Sequence, residues 1–392
     1  MATPATKVQT CPYRNVDERR SAAVAQSGKR GAVPVRGYKE VRQILRDRNA
    51  RQAGFRADLI THFANRIRPP ILFQSGEEHR RQRTATARFF TPRVVDDQHR
   101  PLIAATADTL IADLQRTGQA RLDDMALDLA VTVAARIIGL TESGKRGMTR
   151  RLDAFFSLGP TDGDHPIQNM LATVLGQARM LHFHYRDVRP AIAARRKAPR
   201  EDVISHLISE GYEDRDILVE CFTYGAAGMV TTREFITMAG WHLLENAPLR
   251  ARFLEGGRAD RVAILEEILR LEPVVGTLYR RTEEGGQPFE LDIRSANGDA
   301  QAMGACPHAI DPDRQRSERV AGAGMAFGDG EHRCPGAGVA LAEAETFLDK
   351  LLRVPGLRLD RAPKVGWNSL IAGYELRNCR IVIDRAATAG AT

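Results

Sequence analysis

The sequence predicts a mostly α-helical fold with small β-sheets, built as a single domain over residues 1–392. Three observations lead there. Apolar residues recur three and four apart through most of the chain, the spacing of one helix face. Strand-like runs are short and fall near residues 275–298 and in the C-terminal tail. No repeat, low-complexity tract or obvious linker divides the chain.

Residues 38–48 read as a short helix. The segment 54–78 has little periodicity, and Pro69-Pro70 break any helix there. A loop of that length inside a compact domain is often functional. Helical spacing returns over 79–90, and Thr91-Pro92 marks a boundary or a new helix start. From 98 to 158 the chain is rich in Ala and Leu, which predicts two or three helices, one starting at Asp123 or Asp124. Residues 159–166, GPTDGDHP, form a loop, and 167–196 and 201–211 are helical. A long helical run with glycines in its middle covers 213–248. Residues 258–273 form an amphipathic helix ended by Pro273, and 338–356 a helix ended by Pro355-Gly356. Short strands and turns lie at 275–282 and 286–298, and the tail holds a strand pair, 373–378 and 379–384.

Composition bounds the class. Hydrophobic residues make up 43% and charged residues 27%, the balance of a soluble globular protein. The net charge of +8 is carried mostly by dispersed arginines, with no basic tail and no zinc-finger or strand-platform pattern. This argues against nucleic acid and suits a basic docking face. Cys11, Cys221, Cys306, Cys334 and Cys379 are odd in number and widely spaced, which is not a disulfide framework and favours a reducing compartment. No apolar signal core opens the chain, and no run of about 18 apolar residues occurs. The expectation is a soluble cytoplasmic protein with no membrane partner. A monomer is the expected state.

One stretch stands apart: AFGDGEHRCPG, Ala326 to Gly336. A cysteine behind a glycine turn is usually a small buried hydrophobe. A zinc site needs about four ligands, and Cys306, His308 and His332 do not complete a usual set. A nucleophile with His332 as its base is awkward at a separation of two residues in a tight loop. The surroundings favour another use. Gly328 and Gly330 permit positive φ. Cys334 precedes a helix, where free backbone N–H groups stabilise a thiolate. Pro335 suits the first helical position, and Gly336 lets a bulky group approach. The loop is shaped to present one anionic sulfur to a large planar or metal-containing group.

Phe327, Gly328, Gly330, His332, Cys334 and Gly336 resemble the haem-binding loop of the cytochrome P450 family, Phe-Gly-x-Gly-x-His-x-Cys-x-Gly. The resemblance implies a triangular-prism-like fold with haem b between distal and proximal helices, and Cys334 as the axial thiolate on iron. A thiolate in that position pushes electron density onto iron and favours O–O cleavage. The same resemblance packs Phe327 beside the sulfur and sends His332 to a haem propionate. Glu267 and Arg270 share a helix face and are similar to the family's Glu-x-x-Arg pair, with Arg316 or Arg319 as its third partner. Arg280 stands where the family places a propionate-binding arginine. His79 and Arg83, followed by Phe90-Thr91-Pro92, resemble the segment whose His and Arg reach the propionates, although SGEEH replaces the usual Asp-x-Pro before the His. Arginine forks suit carboxylates, and buried carboxylates need such partners.

Ala227-Gly228-Met229-Val230-Thr231-Thr232 resembles the family's oxygen-activation motif. The resemblance makes Gly228 the point where the backbone opens and Thr231 the hydroxyl that handles protons. The usual acid before the threonine is Val230 here, and valine relays no proton. Glu234, three residues past Thr231, either substitutes for it or serves as an ordinary charge or salt-bridge partner. Met229 and Ala226 are positional candidates for the distal pocket.

On the substrate side, Ile71, Leu72 and Phe73, a lid at Phe155, Phe156 and 159–167, and the turn Trp367–Ile371 correspond to the family's pocket walls. They suit a medium-sized, largely apolar organic molecule. No flavin or nicotinamide fingerprint occurs. Electrons are therefore expected from a ferredoxin or flavodoxin with its reductase, steered by the basic surplus. The leading expectation is a haem-thiolate monooxygenase. A peroxide-driven or oxidative-coupling enzyme is the first alternative, and a non-enzymatic haem-thiolate carrier or sensor the second.

Overall fold

Two arginines and a glutamate buried at the foot of one helix tie the helical half of the molecule to its irregular half, and the element order explains how. The structure is a computed structural model that describes residues 31–55, 67–156, 166–282, 286–317, 320–368 and 371–384, with the backbone alone at 145–146, 155–156 and 166–173. The longer described helices are α1 (Tyr38–Arg46), α2 (Gly76–Ala87), α3 (Arg100–Thr117), α4 (Leu122–Ile138), α5 (Lys145–Phe156), α6 (Pro166–Phe183), α7 (Arg189–Lys197), α8 (Val203–Ser209), α9 (Asp214–Gly225), α10 (Thr231–Glu245), α11 (Ala247–Glu255), α12 (Arg258–Leu271) and α13 (Ala337–Leu352). The strands are β1 (Val33–Val35), β2 (Arg51–Gln52), β3 (Gln119–Arg121), β4 (Thr277–Arg281), β5 (Phe289–Asp292), β6 (Leu357–Arg361), β7 (Lys364–Asn368), β8 (Gly373–Arg377) and β9 (Arg380–Ile383).

The helices form the body of the molecule. Helix α4 is buried on nearly every side, and α10 packs along it. Helix α13 packs on α3, α10 and α12. This stack holds the main apolar core, including Leu122, Leu129, Ile236, Ile268, Phe347 and Leu351. Three small sheets lie with it: β1-β5-β4-β2, β3-β9-β6 and the β7-β8 hairpin. In the first, β1 runs parallel to β5, while β4 pairs antiparallel with both β5 and β2.

Most predicted helices are present, and their ends have local causes. Helix α2 begins at Gly76 (φ +69) rather than at residue 79, with Glu77 and Glu78 in the first turn, where the helix dipole favours acids. The run predicted over 167–196 is α6 and α7 joined by a π turn at His184–Val188. The run over 213–248 is α9 and α10 joined by a π turn at Ala226–Val230. Helix α11 was legible in Asn246-Ala-Pro but absent from the sequence reading: Asn246 Oδ1 accepts the Leu249 N–H at 3.0 Å. The loop predicted over 159–166 lies almost entirely outside the described residues.

The tail differs from expectation. Strands β8 and β9 do not pair with each other. Strand β8 pairs with β7, whereas β9 pairs with β3 and β6 in another sheet. Asn378 between them takes a positive φ of 62°. The buried Asp123 carboxylate then accepts the N–H groups of Asn378 (3.1 Å) and Cys379 (2.9 Å), turning the chain onto the start of α4.

The buried knot is on α12. Arg270 donates to Glu267 Oε2 from Nε (2.8 Å) and to Oε1 from Nη2 (2.7 Å). Arg314 donates from Nε to Glu267 Oε1 (2.8 Å), and Arg316 from Nη2 to Oε2 (3.3 Å). The sequence reading offered Arg316 or Arg319 as third partner. Arg314 holds the tighter position, Arg316 the outer one, and Arg319 lies outside the described residues. Burial pushes the Glu267 carboxyl up, but Arg270 and then Arg314 hold it below its ordinary value. That stabilisation is present above the ordinary glutamate pKa and is lost as pH falls through the lower folded-state value. Denaturant titration of Glu267→Gln should show a loss of about 3–5 kcal/mol at neutral pH, because two buried guanidinium groups lose their anion. The gap to the wild type should narrow in acid.

Candidate active site

The cysteine loop is closed from within. The Cys334 N–H donates to Phe327 O at 2.8 Å, and the Phe327 ring packs partly buried against the main core. Gly328 (φ +69) and Gly330 (φ +70) occupy the left-handed region that favours glycine. At Gly330 a Cβ would also stand 2.2 Å from Leu45 O, so α1 passes too close for any side chain. Asp329 fastens the loop to the same helix: its Oδ2 pairs with Arg42 Nε and Arg46 Nε, each at 2.9 Å.

Cys334 is accessible by surface area although protein crowds round it, so it lines a hollow. Burial pushes the thiol's pKa up, while the N–H groups of Gly336 and Ala337 and the charges of Arg83 and Arg333 oppose that shift. The helix N-terminus thus favours the anionic sulfur, as the loop sequence implied. Gly336 has an ordinary φ, and a Cβ there would meet nothing nearer than Cys334 Sγ at 4.0 Å. Its lack of a side chain keeps the space beside the sulfur clear.

Cations gather round this hollow. The His79 and His332 rings lie 4.3 Å apart between centroids. Burial, then His79, Arg280, Arg83 and Arg51, hold the His332 imidazole at about 3, so it is neutral. Burial and Arg83 also lower His79, whose Nδ1 has no hydrogen-bond partner among the described residues. Arg83 bonds the Arg333 carbonyl. Arg280 is 4% exposed, and its Nη1 bonds two neutral acceptors, Gln52 Oε1 and Tyr279 O. Burial brings this guanidinium down to about 10. A buried guanidinium whose hydrogen bonds go to neutral oxygens, beside an unpartnered imidazole nitrogen, calls for an anionic ligand. Two carboxylates beside a thiolate-bound iron, the donor and acceptor pattern of haem b, fit this set. Arg51 was missed by sequence reasoning; β2 pairs it opposite Arg281 in the same sheet as Arg280.

Gly228 lies in the π turn between α9 and α10. Such turns recur at functional sites. A Cβ on Gly228 would touch only Ala134 Cβ, at 3.8 Å, so packing does not demand the glycine. Thr231 donates its hydroxyl to Ala227 O. Ala227 is exposed between half-buried Ala226 and Gly228, so this side of the helix looks into open space. Met229 and Val230 are buried in the main core. Ala226, the other positional candidate, packs partly buried against that core.

Glu234 is placed against the relay role considered for it. It is buried; Oε1 takes Arg233 Nε (2.8 Å) and Arg377 Nη1 (2.8 Å), and Oε2 takes the Leu376 N–H (2.7 Å). Arg233 reaches on to Asp153 at 2.7 Å. The carboxylate is committed to joining α10, β8 and α5.

On the substrate side, Ile71 is buried, while Leu72 and Phe73 are partly so. The predicted lid falls on residues outside the described set or on positions where the backbone alone is described. In the turn at 367–371, Asn368 and Ile371 are buried, and Ser369 and Leu370 lie outside the described residues.

No protein-family model matches the chain. It is 30% identical over 350 residues to cytochrome P450 107B1 of Saccharopolyspora erythraea, covering 83% of this chain and 78% of that protein. The chain belongs to the cytochrome P450 family. It is also 28% identical to the mycinamicin IV hydroxylase/epoxidase of Micromonospora griseorubida, over 82% of each chain. Among solved structures, the crystal structure of CalO2 matches with a TM-score of 0.75 at 23% identity, covering 95% of this chain and 96% of that one.

This P450 has the family's mostly helical, triangular architecture with small sheets. It is a haem-thiolate monooxygenase that oxidises organic substrates, with haem b as cofactor. When bound, haem b supplies the redox-active iron that activates dioxygen. Among the described residues, no helix is long and apolar enough to cross a membrane. Gly330→Ala should lower stability by about 1–3 kcal/mol through positive-φ strain alone. It should lose haem as well, because the Cβ displaces the loop from α1. Denaturant titration and the Soret absorbance per chain measure the two effects separately.

Proposed function

We propose that this P450 inserts oxygen into a medium-sized, largely apolar organic molecule. Electrons come from a ferredoxin or flavodoxin with its reductase. Cys334 is the axial thiolate, and His79, Arg83, Arg280 and His332 hold the propionates, with Arg51 beside them. The observation that carries this assignment is the cationic ring round Cys334, in which the buried Arg280 bonds neutral acceptors. Gly336 leaves room beside the sulfur, and Phe327 O fixes the cysteine backbone.

On the other face, Gly228 opens the helix and Thr231 orients a proton donor. The open side of the π turn and the Thr231–Ala227 hydrogen bond support that reading. Glu234 is a positioning residue that holds α10 in place. Relatives whose names describe a hydroxylase/epoxidase, a C-12 hydroxylase and an N-oxygenase support oxygen insertion as the reaction type. The net charge of +8 supports an acidic electron donor. The absence of a membrane-crossing helix among the described residues and the widely spaced cysteines suit a cytoplasmic setting. The chain acts as one domain, with α13 packed on helices from both halves of the sequence.

Reconstitution with a ferredoxin, its reductase and a library of apolar substrates tests the proposal. Oxygenated product driven by NAD(P)H is expected. Peroxide alone matching the partner-driven rate would favour a peroxide-using enzyme instead. Thr231→Ala should cut product formed per reducing equivalent by about tenfold, with the haem spectrum unchanged. Full retention of coupling would remove Thr231 from proton handling.

A further inference from the structure

Glu220 lies on α9, eleven residues before Thr231, and is 1% exposed. Its Oε1 accepts Gln82 Nε2 at 2.9 Å and the Ile71 N–H at 3.0 Å. Among the described residues, its Oε2 has no partner, and neither has the neighbouring Gln82 Oε1. Two buried acceptors without a donor are an imbalance that one proton on Oε2 corrects. Among the described residues, the groups facing this carboxyl supply no counter-charge at hydrogen-bond range. Asp216, one turn earlier, is itself acidic and accepts the Arg68 N–H. The Arg68 guanidinium lies over the Tyr212 ring, 4.2 Å from its centroid. Cys221 and Tyr224 are held neutral by burial, and Arg83 lies beyond Tyr224. Arg81, His206 and Glu210 stand across a neighbouring pocket, where Arg81 pairs with Glu210.

We propose that Glu220 is a proton-relay residue that feeds the Thr231 side of the central helix from solvent. The proposal rests on the distal reading above. Three placements carry it. On the outer side, Gln82 touches Glu220 and also lines a pocket of ≈ 70 Å³, together with His206, Glu210 and Tyr212. That volume holds water. On the inner side, Glu220, Tyr224 and Ala227 recur four and three apart, on one helix face. Tyr224 and Cys334 both lie within electrostatic reach of Arg83, which sets this face beside the hollow, and Thr231 donates to Ala227 O. Finally, the position where an acid would stand holds Val230, buried in the core, and Glu234 is committed elsewhere.

In the relay, Glu220 Oε2–H gives up its proton as Tyr224 Oη accepts one and passes its own toward Thr231. The resulting carboxylate keeps its bonds from Gln82 and the Ile71 N–H, then takes a solvent proton conducted through water in the pocket. Burial raises the Glu220 pKa to about 7, so both protonation states are accessible at neutral pH. Coupling should therefore fall as pH rises through that value.

The test uses the haem-loaded enzyme with Glu220→Gln, Glu220→Asp and Tyr224→Phe. Infrared difference titration should show a protonated carboxyl band in the wild type that disappears as pH rises through about 7 and is missing in Glu220→Gln. With ferredoxin-supplied electrons, product per reducing equivalent should fall about tenfold in Glu220→Gln and Tyr224→Phe, and recover partly in Glu220→Asp. Hydrogen peroxide brings its own protons, so peroxide-driven turnover should stay within about twofold of the wild type. Unchanged coupling, a carboxyl band identical in Glu220→Gln, or an equal loss with peroxide would each overturn the relay. Failure of the Thr231 reading shows separately, as full coupling in Thr231→Ala while Glu220→Gln is impaired.

Discussion

The Glu267 carboxylate is the anchor on which the placement of the cysteine depends. Buried on α12, it draws Arg270, Arg314 and Arg316 onto one point. The two inner guanidinium groups then spend their other donors on backbone carbonyls of irregular chain. Arg270 takes Asn297 O, Pro307 O and Ala309 O, while Arg314 takes those of Met303, Ala305, Cys306 and Ala309. A segment with no ladder of its own thus has its carbonyls satisfied by side chains. Asn297 continues the chain of contacts. Its Nδ2 donates to Arg270 O, and its Oδ1 accepts the Met325 N–H at 2.7 Å, two residues before Phe327. Gly324 must lack a side chain here, since a Cβ would stand 2.3 Å from Asn297 Oδ1. The register of the cysteine loop therefore descends from a carboxylate 67 residues earlier in sequence.

From that fixed loop the site follows by opposition of charge. The helix N-terminus of α13 favours an anionic sulfur, and cations from α2, β4 and the loop itself converge beside it. Gathering them costs free energy in the protein alone, as the depressed pKa values of His332 and Arg280 record. An anionic cofactor offsets that cost, so binding and folding of this region are coupled. The same economy marks the central helix, where the π turn and an unforced glycine surrender helix stability to keep one side open.

Helix periodicity made the helical body legible, because most of its helices bury one stripe and read as such. The cysteine loop was legible for a different reason: two positive-φ turns, one thiol and a helix start leave few residue choices, so spacing and residue type coincide. Partners across space were not legible. Arg314 and Arg316 stand two residues apart in sequence, and what separates them is which carbonyls lie within reach of each fork. Strands β8 and β9 looked like a hairpin because the sequence does not announce that Asp123, more than 250 positions away, captures the turn between them.

The amino-acid sequence alone determined the cofactor chemistry, through six residues whose order sets a local backbone shape. It also determined that the usual acid before Thr231 is missing, because a valine side chain carries no proton in any fold. The tertiary structure decided what stands in its place. Glu234 and Glu220 are both glutamates on one long helical run, indistinguishable by type. Packing delivers Arg233, Arg377 and a backbone N–H to the first, and among the described residues leaves an oxygen of the second without a donor. Burial and partners, which no single position encodes, turn one into a brace and the other into a candidate acid.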